Sequence, residues 1–191
     1  MDKRSILAIL FALLLAIQYC DRAECAGRAS KLKVTSSAFN EGGMIPQKHG
    51  FNDENISPPI AWSKVPEGTK SIAVICDDPD APRGDWVHWV IFNIPPTEEG
   101  LPEGVPKQGV LQDGTVQGAN DFKGFGYDGP APPYGIHRYI FRVFALDTLL
   151  DLETGATKRE LLGAMAGHIL AEGQLKGRSK KKIDISAEPV I

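Results

Sequence analysis

Three short stretches carry the side chains that could do chemistry. "HRYIFRVFALD" alternates, so His137, Tyr139, Phe141, Val143 and Ala145 share one face of a strand. An imidazole and a phenol therefore stand at the head of an apolar face. "WVHW" repeats the arrangement, with Trp86 and His88 two residues apart. "DDPDAP" ends an apolar run with carboxylates between prolines, and its prolines restrict Asp78 and Ala81. If these strands are neighbours, Asp78, Trp86, His88, His137 and Tyr139 converge on one pocket. Imidazole and phenol groups are hydrogen-bond donors suited to a phosphate or a carboxylate. Asp78 has the wrong sign for an anion site. It would orient a histidine or accept from an ammonium group. Anion affinity is expected to rise as pH falls through the histidine range, about 6.5 for a free imidazole.

Two other chemistries use the same residues. Asp, His, His and Tyr could serve acid–base hydrolysis, and His88, His137 and Asp78 could hold zinc. Neither has the supporting parts expected of it. There is no G-x-S-x-G elbow, and Cys76 closes the apolar run "SIAVIC", where a thiol is buried rather than reactive. The reading is a binding protein, not an enzyme, with no cofactor. His49, in "PQKHG", and His168, beside a helical stripe, read as structural.

The elements that must position these residues are mostly strands. "SIAVIC" is short and β-branched, as for a strand covered on both faces. "WVHWVIFNI" is aromatic and β-branched. In the third strand, alternation turns Arg138, Ile140, Arg142, Phe144 and Leu146 away from the pocket face. One helix is predicted. Thr157 and Glu160 match a capping box, Leu161, Leu162, Met165, Ile169 and Leu170 form a stripe, and Gly173 stops it. "QLKGRSKKKIDI" reads as a final edge strand guarded by lysines.

"GFGYDG" fits G-x-G-x-x-G, but Pro130, Pro132 and Pro133 follow where a nucleotide site needs a helix. "NIS", at Asn55–Ser57, fits a glycosylation sequon and reads more simply as a turn feeding a strand.

The chain has 191 residues and a net charge of −3. It carries no basic excess of the kind nucleic acid attracts. Residues 1–27 read as an export signal. Lys3 and Arg4 precede an apolar run from Ile6 to Ile17, shorter than the roughly 20 residues that span a bilayer, and small residues follow. Cleavage near Gly27 removes Cys20 and Cys25, so residues 28–191 form one domain without an internal disulfide, in the periplasm or secreted.

Together "DPDAP", "WVHWVIFN" and "GPAPPYGIHRY" resemble the phosphatidylethanolamine-binding protein family, which includes the Raf kinase inhibitor proteins. The bacterial and archaeal branch fits best, over about residues 32–177. The resemblance implies a large antiparallel sheet packed with a smaller one, a helix near the C-terminus, and a small anion pocket at one end of the sheet. It puts Asp78, Trp86, His88, His137 and Tyr139 in that pocket, with backbone contacts from Pro79, Gly129, Ala131 and Pro132. Ala131 stands where the family often has Gly or Cys. The C-terminal helix that covers the pocket in eukaryotic members has no counterpart in "SAEPVI". The implied partners are a small anion or phosphate-bearing ligand, a regulated protein such as a kinase or protease, and a second copy of the chain as a homodimer.

Overall fold

A computed structural model describes residues 30–181. The stretch read as an export signal, residues 1–27, and the last ten residues lie outside it. The fold is mainly β, with two sheets and one α-helix among the described residues.

The centre of the large sheet is the apolar run predicted to be covered on both faces. Strand β4 (Ser71–Asp78) is buried at every position. It lies antiparallel between β5 (Trp86–Ile94) and β8 (Ile136–Leu146). In that register Cys76 sits between Trp89 and Phe141. The long β9 (Ile169–Lys180) pairs with β8 along its length. Short strands β1 (Ser30–Lys31) and β7 (Val116–Gln117) finish the order β1-β9-β8-β4-β5-β7. The small sheet has the order β2-β3-β6, from Lys33–Thr35, Ile60–Ser63 and Gly100–Leu101.

Each face of the large sheet is covered. Val74, Cys76, Trp89, Ile91, Phe141 and Val143 pack with Val34, Ile60 and Trp62 of the small sheet. On the other face Ala73, Ile75, Val90, Phe92, Phe144 and Leu146 pack under Leu161 and Met165 of α1 (Lys158–Met165). Strand β8 therefore alternates between two cores, and Phe144 and Leu146 are as much interior as Phe141.

The capping box is present: Glu160 N–H donates to Thr157 Oγ1 (3.3 Å), and Thr157 N–H donates to Glu160 Oε2 (2.8 Å). The helix, however, ends at Met165 and not before Gly173. Ala166 is already extended, and Gly167 takes φ +83°, a left-handed turn that suits glycine. Ile169 and Leu170 then start β9, whose ladder to β8 outweighs the helical pattern. Gly173 is a point of close approach. A Cβ there would lie 2.5 Å from the Leu32 carbonyl oxygen. Nor is β9 a bare edge. On its outer side Gly42 and Ile45 N–H donate to the carbonyls of Lys176 and Arg178 (2.7 and 2.8 Å).

Leu161 is fully buried where the helix seals the second core. Leu161→Ala is expected to cost about 2–5 kcal/mol, the range for a large-to-small change in a packed core. Urea denaturation should show a lowered midpoint with an unchanged slope.

Candidate functional site

The β4–β5 ladder slips by one residue beside the site. Cys76 opposes Trp89, but Asp77 opposes Val87, so His88 is the extra residue of a bulge. This lets His88 face a cavity while Trp89, next in sequence, stays in the core. The pleat separates the two adjacent aspartates of β4. Asp78 falls on the cavity side. Asp77 falls on the helix side, where Arg142 and Lys158 both donate to its Oδ2. Lys158 also pairs with Asp85, next to Trp86. The helix is thus tied to the strand that carries the pocket residues.

The cavity, of about 300 Å³, is lined by Asp78, Ala81, Pro82, Arg83, Trp86, His88, Phe122, Ala131, Pro133 and Tyr139. Five of the residues singled out in the sequence, Asp78, Trp86, His88, Ala131 and Tyr139, meet there. His137 stands one step behind. Its Nδ1 donates to Asp78 Oδ2 (2.7 Å), and both side chains are buried. Asp78 Oδ1 accepts from Asp80 N–H (2.8 Å). Asp78 therefore works as an orienting carboxylate, the histidine-fixing role the sequence offered. Pro79, Gly129 and Pro132 do not line this cavity. Pro132 lines a second, larger one of about 990 Å³, which shares Ala131 and Pro133 as a wall.

Gly129 and its neighbour build the site from behind. A Cβ on Gly129 would lie 1.9 Å from the His49 carbonyl oxygen, so only glycine fits. Its N–H is spent on Asn55 Oδ1 (2.8 Å). Asp128 is held by three donors: Asn55 Nδ2 (2.8 Å), Lys107 Nζ (2.6 Å) and Asn120 Nδ2 (2.8 Å). Its own carbonyl accepts from His88 Nδ1 (2.6 Å). Asn55, read from the sequence as a turn in a sequon, is a two-ended clamp at φ +55°. The buried His49 has the structural role expected of it, with Nδ1–H donating to the Ile56 carbonyl (2.9 Å). His168 lies beyond the helix, exposed, and bonds to Asp147 (2.7 Å).

Arg138 points away from the cavity, as alternation requires, yet it shapes the rim. Its Nε and Nη2 grip both oxygens of Asp80 (2.8 and 2.6 Å), and its N–H adds a third bond (2.9 Å). The Asp-Pro-Asp turn is thereby clipped to β8. These hydrogen bonds hold the Asp80 carboxyl down to about 2.

Phe122 is the main residue that sequence reasoning missed. It stacks on Phe51 (4.5 Å) and meets Trp86 and His88 edge-on or tilted (5.6 and 5.3 Å). A lone phenylalanine in the polar loop "GANDFKG" was the available signal. Arg83 was also passed over, and it supplies a cation on the cavity wall.

Burial lowers the pKa of the His88 imidazole below its ordinary value, against the pull of the Asp128 carbonyl and the Asp78 charge. Burial, then the Asp78 charge, raises the Tyr139 phenol far above its ordinary range, so it stays a neutral donor. Its hydroxyl and His137 Nε2 are buried and form no well-aligned hydrogen bond within the described residues.

A family model described as "Phosphatidylethanolamine-binding protein" matches residues 35–180. A UPF0098 protein of Methanothermobacter thermautotrophicus is 56% identical over 146 residues, 76% of this chain and 97% of its own. The UPF0098 protein YbhB of Escherichia coli is 45% identical over 145 residues, 71% of this chain and 89% of its own. Among solved structures, a phosphatidylethanolamine-binding protein homologue from Chlamydia trachomatis is 40% identical with a TM-score of 0.73, covering 81% of this chain and all of its own. E. coli YbcL, described as a new member of the mammalian family, is 35% identical with a TM-score of 0.74, covering 80% and 100%.

Two outcomes follow from this geometry. Gly129→Ala should displace the Asp128–Ala131 wall, lower the melting temperature by several degrees and change the His88 NMR signals. The Asp80–Arg138 pair stabilises the fold above the ordinary carboxylate range, and that stability fades as pH falls from about 4 towards 2. Because the pair is largely solvated, Asp80→Asn should cost only a few tenths to about 1 kcal/mol at pH 7. Urea titrations of the two proteins should converge only as pH falls through about 2.

Proposed function

The chain belongs to the phosphatidylethanolamine-binding protein family, and from that premise we propose that it binds a phosphate group, free or borne by a small ligand, in the cavity between Trp86, His88 and Tyr139. The observation that carries this reading is the buried Tyr139 hydroxyl, which makes no well-aligned hydrogen bond and shares the cavity wall with His88 and Arg83. Buried polar groups are nearly always hydrogen-bonded in folded proteins. A tetrahedral oxyanion would give Tyr139 a well-aligned acceptor, with Arg83 adding positive charge at the wall. The aromatic group of Trp86, Phe122 and Phe51 supplies an apolar surface for whatever the phosphate is attached to.

A binding role also suits the residues around the cavity. Cys76 is fully buried, and burial pushes its thiol well above the usual range, far from a reactive thiolate. Asp78 is committed to His137 and to the Asp80 amide, which suits positioning more than turnover or metal ligation. The wider role proposed is an exported regulator or inhibitor of a partner enzyme, a kinase or a protease, acting from the periplasm or outside the cell, as a dimer. Export rests on the composition of residues 1–27. N-terminal sequencing of the protein recovered from its native compartment tests it.

Calorimetric titration with inorganic phosphate and with phosphoethanolamine tests the site. Hydrogen bonds to charged groups contribute about 1.5–3 kcal/mol. Tyr139→Phe, which removes one hydroxyl and keeps the ring, should weaken binding roughly 10- to 100-fold with little change in melting temperature. Unchanged affinity in both Tyr139→Phe and His88→Ala would sink the assignment of this cavity. Phosphoester turnover lost in His88→Ala and His137→Ala would turn the reading to an enzyme.

A further inference from the structure

We propose that the cavity requires its ligand to bring a proton to His88 Nε2. It would then take a phosphate group that still carries a proton and reject sulfate, an anion of similar size and shape that carries no proton near neutrality. This rests on the phosphate-binding reading and names which form of the ligand the site selects.

The Asp128 carbonyl can only accept, so the 2.6 Å contact from His88 Nδ1 places a proton on that nitrogen. A neutral imidazole then has a bare lone pair at Nε2. The backbone at this point has no freedom to reverse the tautomer. Asp128 N–H donates to the His88 carbonyl (3.0 Å), so the two residues are joined by a pair of bonds. The Asp128 carboxylate is held by Asn55, Lys107 and Asn120, and Gly129 is pressed against the His49 carbonyl. Moving the proton to Nε2 would strand the Asp128 carbonyl.

The alternative is a doubly protonated His88, and burial opposes it. The groups that bear on His88 are the Asp128 and Gly129 carbonyls and the Asp78 and Asp128 charges, all of which favour a cation, the Tyr139 hydroxyl, Arg83 on the cavity wall, and His137 behind Asp78. Asp78 also repels an anion, and a dianion more than a monoanion. A ligand P–O–H donating to Nε2 answers both constraints on His88. It fills the lone pair and keeps His88 neutral. Sulfate offers only lone pairs, so it would face Nε2 acceptor to acceptor.

A site built to hydrogen-bond a ligand hydroxyl can reject an analogue lacking it by about 10⁴–10⁵. For a cavity open to solvent, a ratio of about 100 is expected. Calorimetry of the full chain at pH 7, with inorganic phosphate and with sulfate at matched ionic strength, measures it. Phosphate binding with sulfate at least about 100-fold weaker supports the proposal. Sulfate binding should emerge only as pH falls below the usual histidine range, where His88 itself gains the second proton. Equal affinities at pH 7 overturn it. Independently, ¹⁵N-histidine NMR of the ligand-free protein, assigned with His88→Gln, should show a proton on Nδ1 and not on Nε2. The opposite tautomer overturns the proposal whatever binds. The Nδ1–H tautomer with no phosphate binding overturns the phosphate reading, and the present inference with it.

Discussion

The register that sets Cys76 between Trp89 and Phe141 governs much of the structure. Antiparallel ladders admit few alternatives once both faces are buried, because a slip of one residue would turn every side chain to the wrong core. Here one face must meet the small sheet and the other must meet the helix. With Cys76 placed, Asp78 lands on the side of Tyr139, and Asp77 lands on the side of Arg142 and Lys158. Two neighbouring carboxylates thus acquire different work. One orients a histidine beside a cavity, and the other gathers cations that tie the helix to the sheet.

The bulge at His88 makes the ladder and the cavity compatible. A regular strand would alternate His88 and Trp89 between faces, and one of them would leave its partners. The extra residue allows the indole of Trp89 to remain in the core, with its Nε1–H donating to Gln117 (2.9 Å), while His88 turns to Tyr139 and Phe122. The bulge costs ladder hydrogen bonds at one point. His88 regains two through the backbone of Asp128. The long loops are therefore not loose decoration. They carry the polar network that holds the Asp128 carbonyl against His88 Nδ1.

The strands were legible in the sequence for simple reasons. Unbroken β-branched runs report burial on both faces, and strict alternation reports which residues share a side. Those two patterns put Trp86 with His88, and His137 with Tyr139, on shared faces and assigned Arg138 to the opposite one; that the strands are neighbours was implied by the family resemblance and is set by the ladders. The helix start was legible because a capping box is a local motif. Its end was not. Ile169 and Leu170 fit a helical stripe, and only the ladder of β9 on β8 decided against it. Likewise the lysines near the C-terminus looked like edge protection, although residues 42–45 lie against that edge.

What the sequence determined by itself was local: alternation, a cap, the prolines that stiffen the Asp-Pro-Asp turn, and the residue types of the pocket. What only the tertiary structure decided was long-range. Asn55 and Asp128 are 73 residues apart, and nothing in either neighbourhood announces the bond between them. The approach of Gly129 to the His49 carbonyl and the stacking of Phe51 on Phe122 are of the same kind. Such contacts depend on where loops cross in space, and loop crossings leave no periodicity in a sequence. For that reason Asp78, Trp86, His88 and Tyr139 were legible in the chain as pocket residues, whereas Phe122, Arg83 and the contact of His88 Nδ1 with the Asp128 carbonyl came only from the fold.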